Sequence, residues 1–301
     1  MTSQSNAPDL AHAPAMASPV GFDHISSGIR FEPEYNPFST LFVDITHRCN
    51  MECNNCYIPN RSVPDLDTAW LYQVLGRLPK RTRIRLVGAE PTVRQDLPEI
   101  ITQVRKIGHL PVILSNGLKM ARPGYVAKLR KAGLRTVYLS MNGGLDDRQY
   151  EEIDGLRCAD RKLQALDQLI ENRMYITVGM ILVRDCSENH LQEFIQYIEA
   201  RPRVREVHLR SVGAMGRHMS DTQSFTLSEL MEHTGRAISA DISKKASLVI
   251  KRGTHAEFTH GQLKFQLTQW PDLNSMSRGR LTPDGFVEPC FENLIANSGG
   301  Y

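Results

Sequence analysis

No uninterrupted apolar stretch approaches the roughly 18 residues that a bilayer-spanning helix needs, so no membrane partner is expected. The chain also opens without a basic segment leading into an apolar core, so a secretory leader is not expected either. Charge of one sign is scarce: 36 Lys and Arg against 33 Asp and Glu leave +3 over 301 residues. That balance makes no case for nucleic acid or an acidic membrane surface as partner. With 41% hydrophobic and 23% charged residues, the composition excludes a fully disordered, collagenous or fibrous chain. Cysteine is sparse, six in all. Yet Cys49, Cys53 and Cys56 fall within eight residues of one another. In a chain without a leader, thiols packed this closely point to a metal site in a reducing cytoplasm rather than to disulfides.

What is present is a rhythm. Residues 1–37, rich in Ala, Pro and Ser, read as a mobile tail; the sharper alternative has Phe22 to Phe38 folding over the mouth of a site. From Thr40 onward short β-branched runs alternate with helical stretches. Strands are expected over Leu41 to Ile45, Arg83 to Gly88, Leu110 to Ser115, Thr136 to Met141, Tyr175 to Val183 and Val204 to Arg210. Helices are expected over Asp67 to Leu78, Leu97 to Ile107, Tyr125 to Lys131, Arg161 to Asn172, Leu191 to Glu199 and Leu227 to Ile238. Six alternations with apolar strand interiors argue for a parallel α/β sheet with its helices outside. The pattern alone does not separate an open sheet from a barrel or partial barrel. Beyond about Ala240 the rhythm breaks. Leu248 to Ile250 and Leu263 to Leu267 read as strands and Pro283-Asp284-Gly285 as a turn, giving a division into a tail (1–37), a core (38–240) and a short C-terminal extension (241–301).

The chemistry concentrates just after the first strand, in Cys49-Asn50-Met51-Glu52-Cys53-Asn54-Asn55-Cys56-Tyr57. Three thiolates spaced C-x3-C-x2-C on one loop can converge on a metal centre. They are one too few for a closed tetrahedral site. An iron–sulfur cluster usually takes four cysteines, so three leave one iron open to another ligand. Two other readings exist: a zinc ion completed by His47 or a distant histidine, in a non-catalytic α/β interaction module, or three unrelated buried cysteines.

The C-x3-C-x2-C loop resembles that of the radical S-adenosylmethionine (SAM) superfamily, where it follows the first strand of a partial (β/α)6, TIM-like barrel. The resemblance covers roughly Thr40 to Ala240. Gly88-Ala89-Glu90-Pro91 resembles the family's G-G-E-P, which receives the SAM amino group through backbone carbonyls and the acidic side chain. Ser115-Asn116-Gly117 resembles the T-N-G that ends the third strand. Ser140 and Asn142 match positions that meet the ribose or carboxylate of SAM, and Arg184 resembles a residue that pairs with that carboxylate. All lie at the C-terminal ends of parallel strands, where α/β folds place their sites. Tyr57 follows the third cysteine, whereas many members carry an aromatic before it.

The resemblance implies a [4Fe-4S] cluster on Cys49, Cys53 and Cys56 with SAM on its open iron. One electron, from a reducing partner such as flavodoxin or ferredoxin, cleaves SAM to a 5′-deoxyadenosyl radical that abstracts hydrogen from substrate. A segment ending in Gly285-Phe286-Val287-Glu288-Pro289-Cys290 resembles the start of C-terminal extensions that bind a further cluster. Cys290 is the only cysteine beyond Cys186 and Cys158, so a complete second cluster is not expected. Cys290 then reads as a hydrogen donor to a substrate radical, as an auxiliary-cluster ligand, or as a small buried hydrophobe. The segment Val212-Gly213-Ala214-Met215-Gly216-Arg217-His218 reads as a substrate or SAM loop, or as a plain connection. Asp146, Asp147, Glu151 and Glu152 read as a solvated helix face. The expected substrate is a small metabolite or biosynthetic intermediate; the alternative is a peptide, presented by a separate leader-binding partner.

Overall fold

The computed structural model describes residues 29–56, 58, 60–213, 224–270 and 277–290. Six strands succeed one another as parallel neighbours: β1 (Thr40–Thr46), β2 (Arg83–Gly88), β3 (Leu110–Ser115), β4 (Thr136–Ser140), β5 (Tyr175–Leu182) and β6 (Val204–Ser211). Between them run α1 (Thr68–Arg77), α2 (Leu97–Ile107), α3 (Tyr125–Ala132), α4 (Asp147–Asp154), α5 (Ala159–Glu171) and α6 (Glu188–Glu199). The first strand carries Leu41, Val43 and Ile45 outward onto α1 and α2, where Leu71, Leu75, Ile100 and Val104 are buried in the same core. Its alternate residues face the other way, as a period of two requires.

Helix ends are written locally. Asp67 accepts a hydrogen bond from Trp70 N at the start of α1. Gly108 and Gly133 take left-handed conformations at the ends of α2 and α3. Helix α6 starts at Glu188, three residues before the apolar periodicity begins, because Ser187 caps it. Helix α4 is an element that hydrophobic periodicity did not reveal. It is short and strongly polar, and it buries only Tyr150, Ile153 and Asp154.

After α7 (Leu227–Ala237) the chain returns to the same sheet at both ends. Strands β7 (Val249–Lys251), β8 (His255–His260) and β9 (Leu263–Thr268) form an antiparallel meander, and β9 lies parallel to β6. Strands β10 (Gly279–Leu281) and β11 (Val287–Pro289) form a hairpin whose β10 lies parallel to β1. The order is β11-β10-β1-β2-β3-β4-β5-β6-β9-β8-β7, so the parallel sheet is a partial barrel and does not close. Part of the expected tail belongs to this arrangement. Phe31 exchanges backbone hydrogen bonds with Val287, and Arg77 of α1 pairs with Glu32 and Glu34. No helix among the described residues is long and apolar enough to cross a membrane.

The outer meander carries a charge cluster. Burial opposes ionisation of Glu257, but hydrogen bonds from Lys251, Lys264 and His255 outweigh it and hold its carboxyl at about 2. A carboxylate held below its usual value stabilises the fold above the unfolded value, and that contribution fades as pH falls toward the folded one. Glu257→Gln is therefore expected to lower Tm at pH 7, with the difference from wild type shrinking between pH 5 and about pH 2. Calorimetric melting across that range checks it; a pH-independent difference would contradict the assignment.

Candidate active site

The C-terminal ends of β1, β2 and β3 are tied to one another before any side chain faces the cavity. Gly88 takes φ 126°, and a Cβ there would stand 2.0 Å from the carbonyl oxygen of Thr46. Only glycine lets β2 run this close to the end of β1, where Ala89 N donates to Thr46 O at 2.9 Å and Glu90 N to Arg48 O at 3.1 Å. Glu90 is 1% exposed. One of its carboxylate oxygens accepts from Thr92 N, Thr92 Oγ1 and Ser115 Oγ at 3.0, 2.6 and 2.9 Å, and the other from Asn116 N at 2.7 Å. The acidic side chain expected to face SAM is thus spent on binding the ends of β2 and β3 together. Asn116 extends the tie, its Nδ2 donating to Asn50 Oδ1 at 2.8 Å and lying 3.8 Å from Cys49 Sγ.

The cysteine loop is gripped from its other side by α4 and α5. Asn54 Nδ2 donates to the carbonyl of Glu152 at 2.8 Å, and Asn55 N to that of Ile153 at 3.4 Å. The residues read as a solvated acidic face therefore supply, through their backbone, the cradle of the loop. Beneath it lies an ion pair out of contact with water: Lys162 Nζ stands 3.3 Å from Asp154 Oδ2, with exposures of 0% and 3%. Lys162 also donates to Ser140 O at 3.0 Å, and Asn142 Nδ2 to Asp154 Oδ1 at 2.6 Å. Ser140 and Asn142, at the end of β4, are held by this pair.

These ends open on one cavity of about 270 Å³. Cys49, Cys53 and Cys56 line it together with Gly88, Ala89, Glu90, Ser115, Asn116, Ser140, Asn142 and Cys290. Alternate residues of the strands continue the wall into the lumen: Phe42, Arg85, Leu114, Tyr138, Ile181 and His208, with Arg210 above His208. Tyr138 reaches from β4 across β5 because residue 179 is glycine; a Cβ there would lie 2.0 Å from the phenol oxygen. Its hydroxyl stands 3.2 Å from His208 Nδ1, and Thr268 Oγ1 on β9 bridges His208 Nε2 and His255 Nδ1 at 2.7 and 2.9 Å. Burial, reinforced by Arg210, His255, Arg278 and Arg85, pushes the His208 pKa well below its usual value, so this imidazole is neutral.

Three expected residues stand elsewhere or outside the described part. Pro91 is buried in a 3-10 turn and does not line the cavity. Arg184 lies in a separate surface depression, where Glu229 takes its guanidinium at 2.8 and 2.9 Å and Phe225 stacks below it. Its expected role toward a bound carboxylate is corrected on that ground: the α7 capping carboxylate already holds it. Tyr57 lies outside the described residues, as do Ala214 to His218 of the loop after β6. Cys290 is 3% exposed and packs with Phe42 and Val87 on the cavity wall. Cys158 packs with Met51, Leu118 and Tyr150 near Cys49 and Cys53, whereas Cys186 sits in the main core. The residues that the sequence did not mark are Arg61, Arg85, Lys162, Arg210, Trp270, Arg278 and Arg280. All line the cavity; Arg85, Arg210 and Arg280 read in sequence as strand residues, Arg61 and Arg278 as loop charges, and Lys162 as a helix residue.

The donor set discriminates among metals. Among the described residues no three His, Cys, Asp or Glu side chains form a group that could hold a single metal ion. His47, the histidine nearest the loop in sequence, bonds the carbonyl of Asn60 at 3.2 Å and is absent from the wall. Three thiols lining one cavity would suit an iron–sulfur cluster, which takes cysteine thiolates as ligands. Burial, with Asp154 and Cys49 nearby, pushes the Cys53 thiol up, so taking up a metal there releases a proton. Asn55, between Cys53 and Cys56, has both side-chain polar atoms buried without a partner, on the wall such a group would face.

A partial α/β barrel with three thiols at its strand ends is the frame of a cofactor-dependent enzyme. The family profile of the radical SAM superfamily matches residues 43–198, and the chain belongs to that superfamily, whose enzymes use a [4Fe-4S] cluster and SAM. It is 31% identical over 189 residues to the 7,8-dihydro-6-hydroxymethylpterin dimethyltransferase of Methanocaldococcus jannaschii, covering 58% of this chain and 36% of that one. It is 28% identical over 197 residues to the GTP 3′,8-cyclase of Haemophilus influenzae, covering 61% and 57%. The chain thus spans between a third and somewhat over half of these curated relatives. Streptococcus suis SuiB bound to precursor peptide SuiA shares the fold, with TM-score 0.65 over 86% of this chain and 61% of that one at 14% identity.

The Lys162–Asp154 pair yields a direct test. Removing one member leaves a buried charge without its counterion, which costs about 3–5 kcal/mol, whereas replacing both with apolar residues costs far less. Asp154→Ala is expected to lose that much in urea unfolding, and Asp154→Leu combined with Lys162→Met to recover most of it. Equal losses in both would remove the pair from its structural role.

Proposed function

We propose that this chain acts on a small metabolite or biosynthetic intermediate, with the two ends of the cavity dividing cofactor from substrate. Cys49, Cys53 and Cys56 hold the cluster. Gly88, Ala89, Ser115, Asn116, Ser140 and Asn142 form the adjoining SAM side, and Glu90 positions Ser115 and Asn116 among them. When bound, the pair supplies reductive cleavage of SAM and a hydrogen-abstracting radical. The protein's own part is to aim and to shield. The strand-end carbonyls and amides orient a polar ligand; the buried walls of Phe42, Val87, Leu114 and Ile181 keep water away from it.

The observation that carries the reading is the gathering of all three thiols and four strand ends on one cavity. Two supports favour a small substrate: the cavity's volume of about 270 Å³, and relatives whose names give a pterin and GTP as what they act on. Residues 241–301 are proposed to form the substrate-side extension, since Thr268, Trp270, Arg278, Arg280 and Cys290 line the cavity. Cys290 is proposed as hydrogen donor to the substrate radical, and a cytoplasmic flavodoxin or ferredoxin as the source of the electron.

Protein reconstituted anaerobically and reduced with dithionite is expected to convert SAM to 5′-deoxyadenosine. Cys49→Ala, Cys53→Ala and Cys56→Ala are each expected to reduce that yield to background, read by liquid chromatography. Iron and sulfide are expected at about four per chain in both wild type and Cys290→Ala. About eight irons, falling when Cys290 is removed, would make Cys290 a ligand instead of a donor. Stoichiometric zinc without iron would overturn the whole reading.

A further inference from the structure

Arg61, on the cavity wall, touches sulfur. Its Nη2 donates to Cys56 Sγ at 2.9 Å, and a hydrogen bond from the same guanidinium reaches Cys49. The turn before it fixes its place. Asn60 Oδ1 accepts from Ser62 N at 2.9 Å, and the Asn60 carbonyl faces His47 Nδ1 at 3.2 Å. That turn sends the Arg61 side chain back over the loop, toward the cysteine five residues earlier.

The acidic groups nearby are engaged elsewhere. Asp65 takes Arg48 and Thr46 Oγ1, and Asp154 takes Lys162 and Asn142. Among the described residues no carboxylate pairs with Arg61, which is half-buried. A guanidinium withdrawn from water is ordinarily matched to an oxyanion, whereas a neutral thiol is only a weak acceptor. A donor of this strength aimed at Cys56 is therefore suited to a sulfur that carries negative charge, as a thiolate bound to iron does. The backbone adds to it, since Ile58 N lies 3.4 Å from the same sulfur. Cys53 has opposite surroundings, with Asp154 the strongest charge acting on it.

We propose that Arg61 is a positioning residue for electron transfer: acting through Cys56, its fixed charge raises the potential at which the cluster accepts an electron. The inference rests on the reading of Cys49, Cys53 and Cys56 as the cluster ligands. Reduction brings in one electron, from dithionite or a reduced protein donor, and breaks no bond; Arg61 stays protonated throughout. A neighbouring cation stabilises the more negative, reduced state over the oxidised one, and hydrogen bonds to the sulfurs act in the same sense. Arg61 thus brings the cluster within reach of a weaker electron donor than it would otherwise need.

The test is a redox titration of the anaerobically reconstituted full chain, without SAM, with dithionite as reductant and the reduced cluster read by electron paramagnetic resonance. Iron and sulfide are measured on each preparation first. Arg61→Gln and Arg61→Met are each expected to lower the midpoint by about 59 mV or more, a tenfold change in a one-electron equilibrium. Two neutral variants are used so that one which takes up no iron leaves the other to decide. Arg61→Lys keeps the charge and is expected to fall between these variants and wild type. Lys106→Gln, which removes a charge from the exposed face of α2, is expected to titrate as wild type does. Neutral variants with the wild-type midpoint, an equal shift in Lys106→Gln, an Arg61→Lys midpoint as low as that of the neutral variants, or iron lost from both neutral variants would each overturn the proposal. An unchanged midpoint with weakened SAM binding would assign Arg61 to SAM instead. Unshifted midpoints in a chain that cleaves SAM sink this proposal alone, and a wild type that takes up no iron sinks the proposed function with it.

Discussion

A single buried carboxylate sets the geometry of everything around the cavity. Glu90 gives up hydration at the junction of β2 and β3, a cost of several kcal/mol for an isolated charge, and regains it through four donors from Thr92, Ser115 and Asn116. Charge-assisted bonds of this kind are short and directional, so the two strand ends have little freedom left. Because Asn116 gives its backbone amide to Glu90, its side chain can turn to Asn50 and the neighbourhood of Cys49. The loop that must present three thiols is thereby referenced to the sheet and not to solvent. Its opposite flank is referenced to α4 through Asn54 and Asn55. A loop pinned on two sides can hold ligands at fixed separation before any cofactor arrives, which is what preorganisation means here.

How much of this could be read in the sequence depends on how far each feature acts along the chain. The six core strands and the C-x3-C-x2-C loop are local patterns, and their bounds fall within a residue or two of expectation. Gly88 was marked by its motif; the physical reason, the approach of Thr46 O, appears only when two strands are side by side. Helix α4 escaped because only two of its eight residues, Tyr150 and Ile153, are apolar, too few to stand out as a periodic face, and its role is played by backbone carbonyls that any sequence would supply. Strands β8, β10 and β11 exist because a sheet edge was waiting for them. Arg184 was misplaced because a strand end fixes where a residue begins, not which neighbour claims it; Glu229, 45 residues later, does.

Arg85 is the most instructive case. In Arg83-Ile84-Arg85-Leu86 the alternation reads as a strand with one solvated face, and Arg83 is indeed exposed. Arg85 shares that face but sits farther along it, where the sheet curls around a lumen. The polar face of an amphipathic strand becomes the inside of a barrel once the sheet bends, so the same period of two serves opposite purposes at its two ends. Curvature is a property of the whole sheet. No window of residues contains it.

The C-terminal strands complete the enclosure, which ties their sequence to the chemistry more closely than their position in the chain implies. Strand β9 extends the sheet beyond β6 and brings Thr268 to the buried chain of Tyr138, His208 and His255. Strand β10 extends it beyond β1 and brings Arg280, with Arg278 and Cys290 beside it, to the ring of Phe42. Both edges of the six-stranded core would otherwise leave these side chains facing water, so the residues on the cavity wall owe their burial as much to the last strands of the chain as to the six that form the core.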